Sequence, residues 1–147
     1  MASVPLSPAY AQSKGQHAKA MMRQIGKPTM FFTISMAENR SPELIAQLYR
    51  NKNPHLPKLS LIDALNLSDD EKTKLIRDDP VLCCTFFKNR SNEFIKYCKN
   101  PNGPFGENYA EEHLRRTECQ MRGTPHVHGM FYLKDVPVDD YKSDMAQ

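Results

Sequence analysis

Apolar residues recur at helical spacing over most of the chain and at every second position between residues 113 and 133, a pattern of helices followed by a β-hairpin. Ser7-Pro8 gives a serine cap with proline in the first turn, and Gly26 followed by Pro28 gives a stop, so a helix is predicted between them. Tyr10, Ala18, Met21, Met22 and Ile25 form its partial apolar stripe, and Lys14, Lys19 and Arg23 carry positive charge. Gly15 weakens this helix by about 1 kcal/mol relative to alanine. Residues 30–36 are almost all apolar, aromatic or β-branched and read as a buried central strand. Ser41-Pro42-Glu43 repeats the start signal before Leu44, Ile45 and Leu48, predicting a helix to about Arg50. Pro54 and Pro57 make 51–58 a loop, 59–67 a further helical turn, and Ser68-Asp69-Asp70-Glu71 caps a helix ending near Asp78. A long helix then starts at Asp79-Pro80, carries Val81, Cys84, Phe87, Phe94, Ile95 and Cys98, stops before Asn100-Pro101, and is expected to pack on the sheet.

The last predicted elements are strands at 113–121 and 126–133, joined at Gly123-Thr124-Pro125. Alternation gives one face Leu114, Arg116, Glu118 and Gln120 with His126, His128, Met130 and Tyr132; the other carries Thr117, Cys119, Val127, Phe131 and Leu133. The second face is the more apolar and suits a cover of helices, leaving the first open. The fold class is therefore α+β, a central antiparallel sheet with helices packed on one face. On the open face, His126 and His128 share a side roughly 6.6 to 7 Å apart. Antiparallel pairing brings Glu118 beside them, with Gln120 as a further donor, which is a mixed nitrogen and oxygen ligand set with coordination positions left for substrate. Alternatively, Glu118 pairs with Arg116 or Arg122 at the surface. Arg115, Arg116, Arg122 and Lys134 flank the candidate site and can hold phosphates or simply form a solvated face. His17, His55 and His113 have no partners at ligand spacing and are expected in solvent. For Phe31 and Phe32, core packing is favoured over stacking on bases.

Composition bounds this picture without deciding it. The 147 residues suit one domain, 39% hydrophobic and 25% charged content is that of a globular chain, and a net charge of +3 is compatible with phosphate binding without demonstrating it. Cys83, Cys84, Cys98 and Cys119 show no C-x-x-C spacing and read as buried free thiols in a reducing compartment. No secretory signal and no apolar run near the about 20 residues of a membrane span are present, so no membrane partner is expected.

Three blocks resemble a known family. Residues 116–129, with Glu118, Gly123, Pro125, His126 and His128, look like the HUH motif region of the replication-initiator domain in Helitron-type rolling-circle transposases, often labelled Helitron helicase-like. Residues 20–35 resemble that family's first strand and its preceding helix, and Asp78-Asp79-Pro80-Val81 opens a block like the start of the helix before the histidine hairpin. The resemblance implies a ferredoxin-like or RRM-like HUH endonuclease core, with the helical pieces at 41–78 as an insertion. It further implies metal-dependent nicking and strand transfer on single-stranded DNA, with Mg²⁺ or Mn²⁺ held by His126, His128 and Glu118 and a tyrosine as nucleophile. Any nuclear location follows from the resemblance alone.

The family's tyrosine pair lies well beyond the histidine hairpin. Here Tyr141 is the tyrosine that follows the last predicted strand, and its acidic surroundings make the nucleophile expected outside this chain. No G-x-x-x-x-G-K-[ST] is present, so the helicase module of full-length relatives is absent as well, and 1–147 reads as one domain incomplete at its C-terminus. A remnant that binds metal and single-stranded DNA without cutting is the alternative. A two-histidine, one-carboxylate iron oxygenase or cupin ranks last, because cupin sites need a glutamate and a further histidine after the pair and neither follows His128.

Overall fold

The computed structural model describes residues 8–119 and 125–137. The elements, in order, are α1 (Pro8–Ile25), β1 (Met30–Ser35), α2 (Pro42–Lys52), α3 (Leu61–Asn66), α4 (Asp69–Asp78), α5 (Pro80–Cys98), β2 (Ala110–Cys119) and β3 (Pro125–Leu133), with short 3-10 turns at Glu38–Arg40 and Gly106–Asn108. The class is α+β with a three-stranded antiparallel sheet in the order β1-β3-β2. The chain divides into two compact units, a sheet unit of Met1–Ile34, Glu93–Glu118 and His126–Gln147, and a helical unit of Ser35–Asn92 and Cys119–Pro125.

In the sheet unit, α1 ends as its sequence requires. Gly26 adopts φ 99, a conformation disfavoured for residues with a Cβ, and its amide donates to the Met22 carbonyl at 3.1 Å. Thr29 then ties the chain to β3 twice: its amide donates to Phe131 O at 2.9 Å, and its hydroxyl accepts from the Leu133 amide at 3.1 Å. The core lies under β3, where Val127 and Phe131 are fully buried. Phe32 stacks on Phe131 with centroids 4.3 Å apart, and Phe105 meets the same ring edge-on at 6.0 Å. Gly129 makes this stack possible, since a Cβ there would collide with the Phe32 ring and lie 2.6 Å from the Leu114 carbonyl oxygen.

β1 differs from the buried central strand expected. It lies at one side of the order with β3 in the middle, and its burial alternates, Phe32 inside and Phe31 65% exposed. The apolar run concealed a two-residue rhythm in which Phe31, Thr33 and Ser35 share the wet face. Tyr132, expected on the open face, is buried, which raises its phenol pKa above the usual value. His113 also departs from expectation: its Nδ1 is buried, and its ring centroid lies 6.4 Å from that of Phe131.

The helical unit packs Leu44, Ile45 and Leu48 of α2 with Ala64 of α3, Leu75 of α4 and Cys83 of α5. Its short helices are held by their caps. Ser60 Oγ accepts from the Asp63 amide at 3.1 Å, and Ser68 and Glu71 form a reciprocal capping box at 3.3 and 3.0 Å. Lys52 Nζ meets Asp78 at 2.5 Å, joining the ends of α2 and α4. Burial, reinforced by Asp79, pushes the Cys83 thiol up to about 11, so it is a free but unreactive packing residue. Along α5 the buried positions are Cys83, Phe87, Ser91, Ile95 and Cys98, whereas Val81, Cys84 and Phe94 of the predicted stripe are exposed.

Candidate active site

The open face is assembled from one strand at a time. On β3, strict alternation buries Val127, Gly129 and Phe131 and leaves His126, His128 and Met130 half-buried on the other side. β1 adds Phe31 and Thr33, and β2 adds Leu114, Arg116 and Glu118. Central to these is His128. Its Nδ1 lies 3.0 Å from Thr33 Oγ1, and its Nε2 lies 3.7 Å from Glu118 Oε2. The other carboxylate oxygen of Glu118 takes Arg116 Nε at 3.2 Å. The Phe31 and His128 rings are nearly parallel, 14° apart with centroids at 6.2 Å. All three strands therefore contribute to one polar chain, Thr33, His128, Glu118 and Arg116.

The Thr33 hydroxyl donates to Nδ1 or accepts from it according to the tautomer, and it is with the proton on Nδ1 that the Nε2 lone pair is free to ligate a metal. Ligands sit about 2.0–2.2 Å from an ion such as zinc, so donors 3.7 Å apart are within the span that one ion can bridge. His126 shares the face by alternation. Among the described residues no three His, Cys, Asp or Glu side chains converge as a metal-holding group, so the expected triad stands as a contact pair, His128 and Glu118, with His126 on the same face. The alternative pairing of Glu118 with Arg116 is observed, and the same carboxylate faces His128.

The remaining predicted site residues divide clearly. Arg115 and Arg116 line a cavity of about 200 Å³ next to His128. Lys134 sits over the Tyr109 ring at 5.4 Å, at the C-terminal end of β3. Gln120, Arg122 and Tyr141 lie outside the described residues. Thr33 is a site residue missed by sequence reasoning, and Phe31, for which core packing was expected, is instead exposed beside it; the signal was present in Thr33 and Ser35, polar residues two apart within an apolar strand.

Residues 1–131 match the family model described as the Helitron helicase-like domain at the N-terminus. The chain belongs to that family. It is thus a Helitron-related protein, and the matched span contains Phe31, Thr33, Glu118, His126 and His128. No curated protein and no solved structure matches it. Within this Helitron helicase-like domain no helix among the described residues is long and apolar enough to cross a membrane.

Proposed function

We propose that this Helitron helicase-like domain is an HUH-type endonuclease domain that nicks single-stranded DNA and takes part in strand transfer. The observation that carries the reading is the meeting of His128 Nε2 and Glu118 Oε2 at 3.7 Å on the open sheet face, with Thr33 on the other ring nitrogen. His126, His128 and Glu118 would hold Mg²⁺ or Mn²⁺, with Gln120 as a further donor. When bound, such an ion polarises a non-bridging oxygen of the scissile phosphate. Thr33 would accept the Nδ1 proton of His128 and steady the ring once a metal takes Nε2. Arg116, released from Glu118, is positioned to pair with a phosphate.

The proposed step is attack of a tyrosine hydroxyl on phosphorus. The hydroxyl loses its proton, a bond forms between the phenolic oxygen and the phosphorus, and the bond to the 3′ oxygen breaks. That oxygen leaves as a protonated 3′ hydroxyl while the 5′ phosphate stays on the protein. The phosphoester is thereby kept for rejoining. The nucleophile lies outside the described residues, Tyr141 being one candidate. The setting proposed is nuclear, beside a helicase module as in full-length relatives.

The test mixes the chain with end-labelled single-stranded DNA and Mn²⁺ and seeks a covalent protein–DNA band on a denaturing gel. The expected result with a nucleophile in the chain is an adduct abolished by chelator, by His128→Ala and by Tyr141→Phe. Metal-enhanced DNA binding without an adduct would assign the tyrosine elsewhere and this chain to metal and strand binding. Binding of DNA indifferent to metal and to His128→Ala would overturn the reading.

A further inference from the structure

We propose that the cavity beside His128 is a stacking subsite for one unpaired base of the DNA strand, with Phe31 as its platform and the open side of α1 at Gly15 as its opposite wall. The inference rests on the single-stranded DNA reading above and adds to it a place for the base.

Four observations carry it. Phe31 is 65% exposed although it lies within a strand whose next residue, Phe32, is buried. The Phe31 ring face is therefore free to take a stacking partner, and it differs from the other exposed apolar side chains in bordering the cavity. The ring borders a cavity of about 200 Å³, floored by Leu114 and Met130 and flanked by Lys14, Arg116 and His128. That volume lies below the roughly 300 Å³ at which sites for drug-sized ligands begin, and suits a single planar ring. The chemistry of the wall is likewise that of a nucleotide site: apolar and aromatic surface for a base, with cationic side chains beside it for the phosphates. The near-parallel Phe31 and His128 rings put such a base next to the proposed scissile phosphate. Finally, Gly15 borders the cavity, and a Cβ there would meet nothing within 4 Å, so the helix leaves the space open. A base in a duplex is stacked on both faces and paired at its edge, so the occupant is single-stranded.

The chain contains no tryptophan, which makes Phe31→Trp a single reporter at the platform. Fluorescence titration with single-stranded oligonucleotides should quench Phe31→Trp and leave Phe94→Trp, outside the cavity, unchanged. Phe31→Ala should weaken binding about 5-fold to about 100-fold, the range of one lost base stack. Gly15→Leu, which fills the cavity from a better helix-forming residue, should weaken it similarly while the fold, followed by circular dichroism, is retained. Wild-type binding that is unaffected by both Phe31→Ala and Gly15→Leu, without quenching of Phe31→Trp, would overturn the subsite and leave the DNA reading standing. Equal affinity of wild type for duplex would also overturn it. A wild-type chain with no affinity for single strands would overturn the DNA reading itself, and the subsite with it.

Discussion

His113 has a ring nitrogen buried beneath the sheet with no hydrogen-bond partner among the described residues. Loss of solvation, with Lys99 and Arg115 nearby and only Glu112 opposing them, holds its pKa below the ordinary 6.5. The unfolded chain therefore binds this proton at higher pH than the folded one. Its contribution to stability is complete above about pH 6.5 and is lost as pH falls through the lowered folded value. His113→Leu is expected to flatten the pH dependence of the urea midpoint below about pH 6.5; an unchanged slope would exclude His113 as its source. Thr33 acts on the other side of the sheet. Thr33→Val keeps the shape of the residue but removes the hydroxyl from His128 Nδ1, and is expected to lower metal affinity about 10- to 100-fold, measured by Mn²⁺ titration, with little change in stability. Equal metal affinity would show that His128 needs no such partner.

Among the elements, legibility followed the locality of the signal. α4 was visible in the sequence because Ser68 and Glu71 satisfy each other's backbone amides within one turn. Ser68→Ala is accordingly expected to cost about 0.5–2 kcal/mol by chemical denaturation, and a loss near zero would mean that packing of Leu75 alone holds the helix. The β-hairpin was legible too, since alternation assigned Val127 and Phe131 to the core and His126 and His128 to the front. β1 was not. Its neighbours in space are fixed by pairing across the whole chain, and an apolar run does not say whether one strand or two will flank it. The stripe of α5 slipped for a related reason. Cys83 and Cys84 are equivalent in composition, and only the packed surroundings decide which one turns inward.

For the whole molecule, a net charge of +3 gave little guidance, because it does not say that Lys14, Arg115 and Arg116 gather around one cavity with Phe31 and His128. Of the three blocks that carried the resemblance, those around β1 and the histidine hairpin also build the candidate site. Their separation along the chain has a consequence for how the protein comes to be made. Thr33 and His128 touch across 95 intervening steps of sequence, and the helical unit lies between them. Closing so long a loop is slow and follows local structure formation, so the helices can form during synthesis while the site cannot. A nascent chain that has not yet released β3 carries the platform and the hydroxyl but no imidazole to join them. Any activity on DNA is thus withheld until the last strand is inserted between the other two.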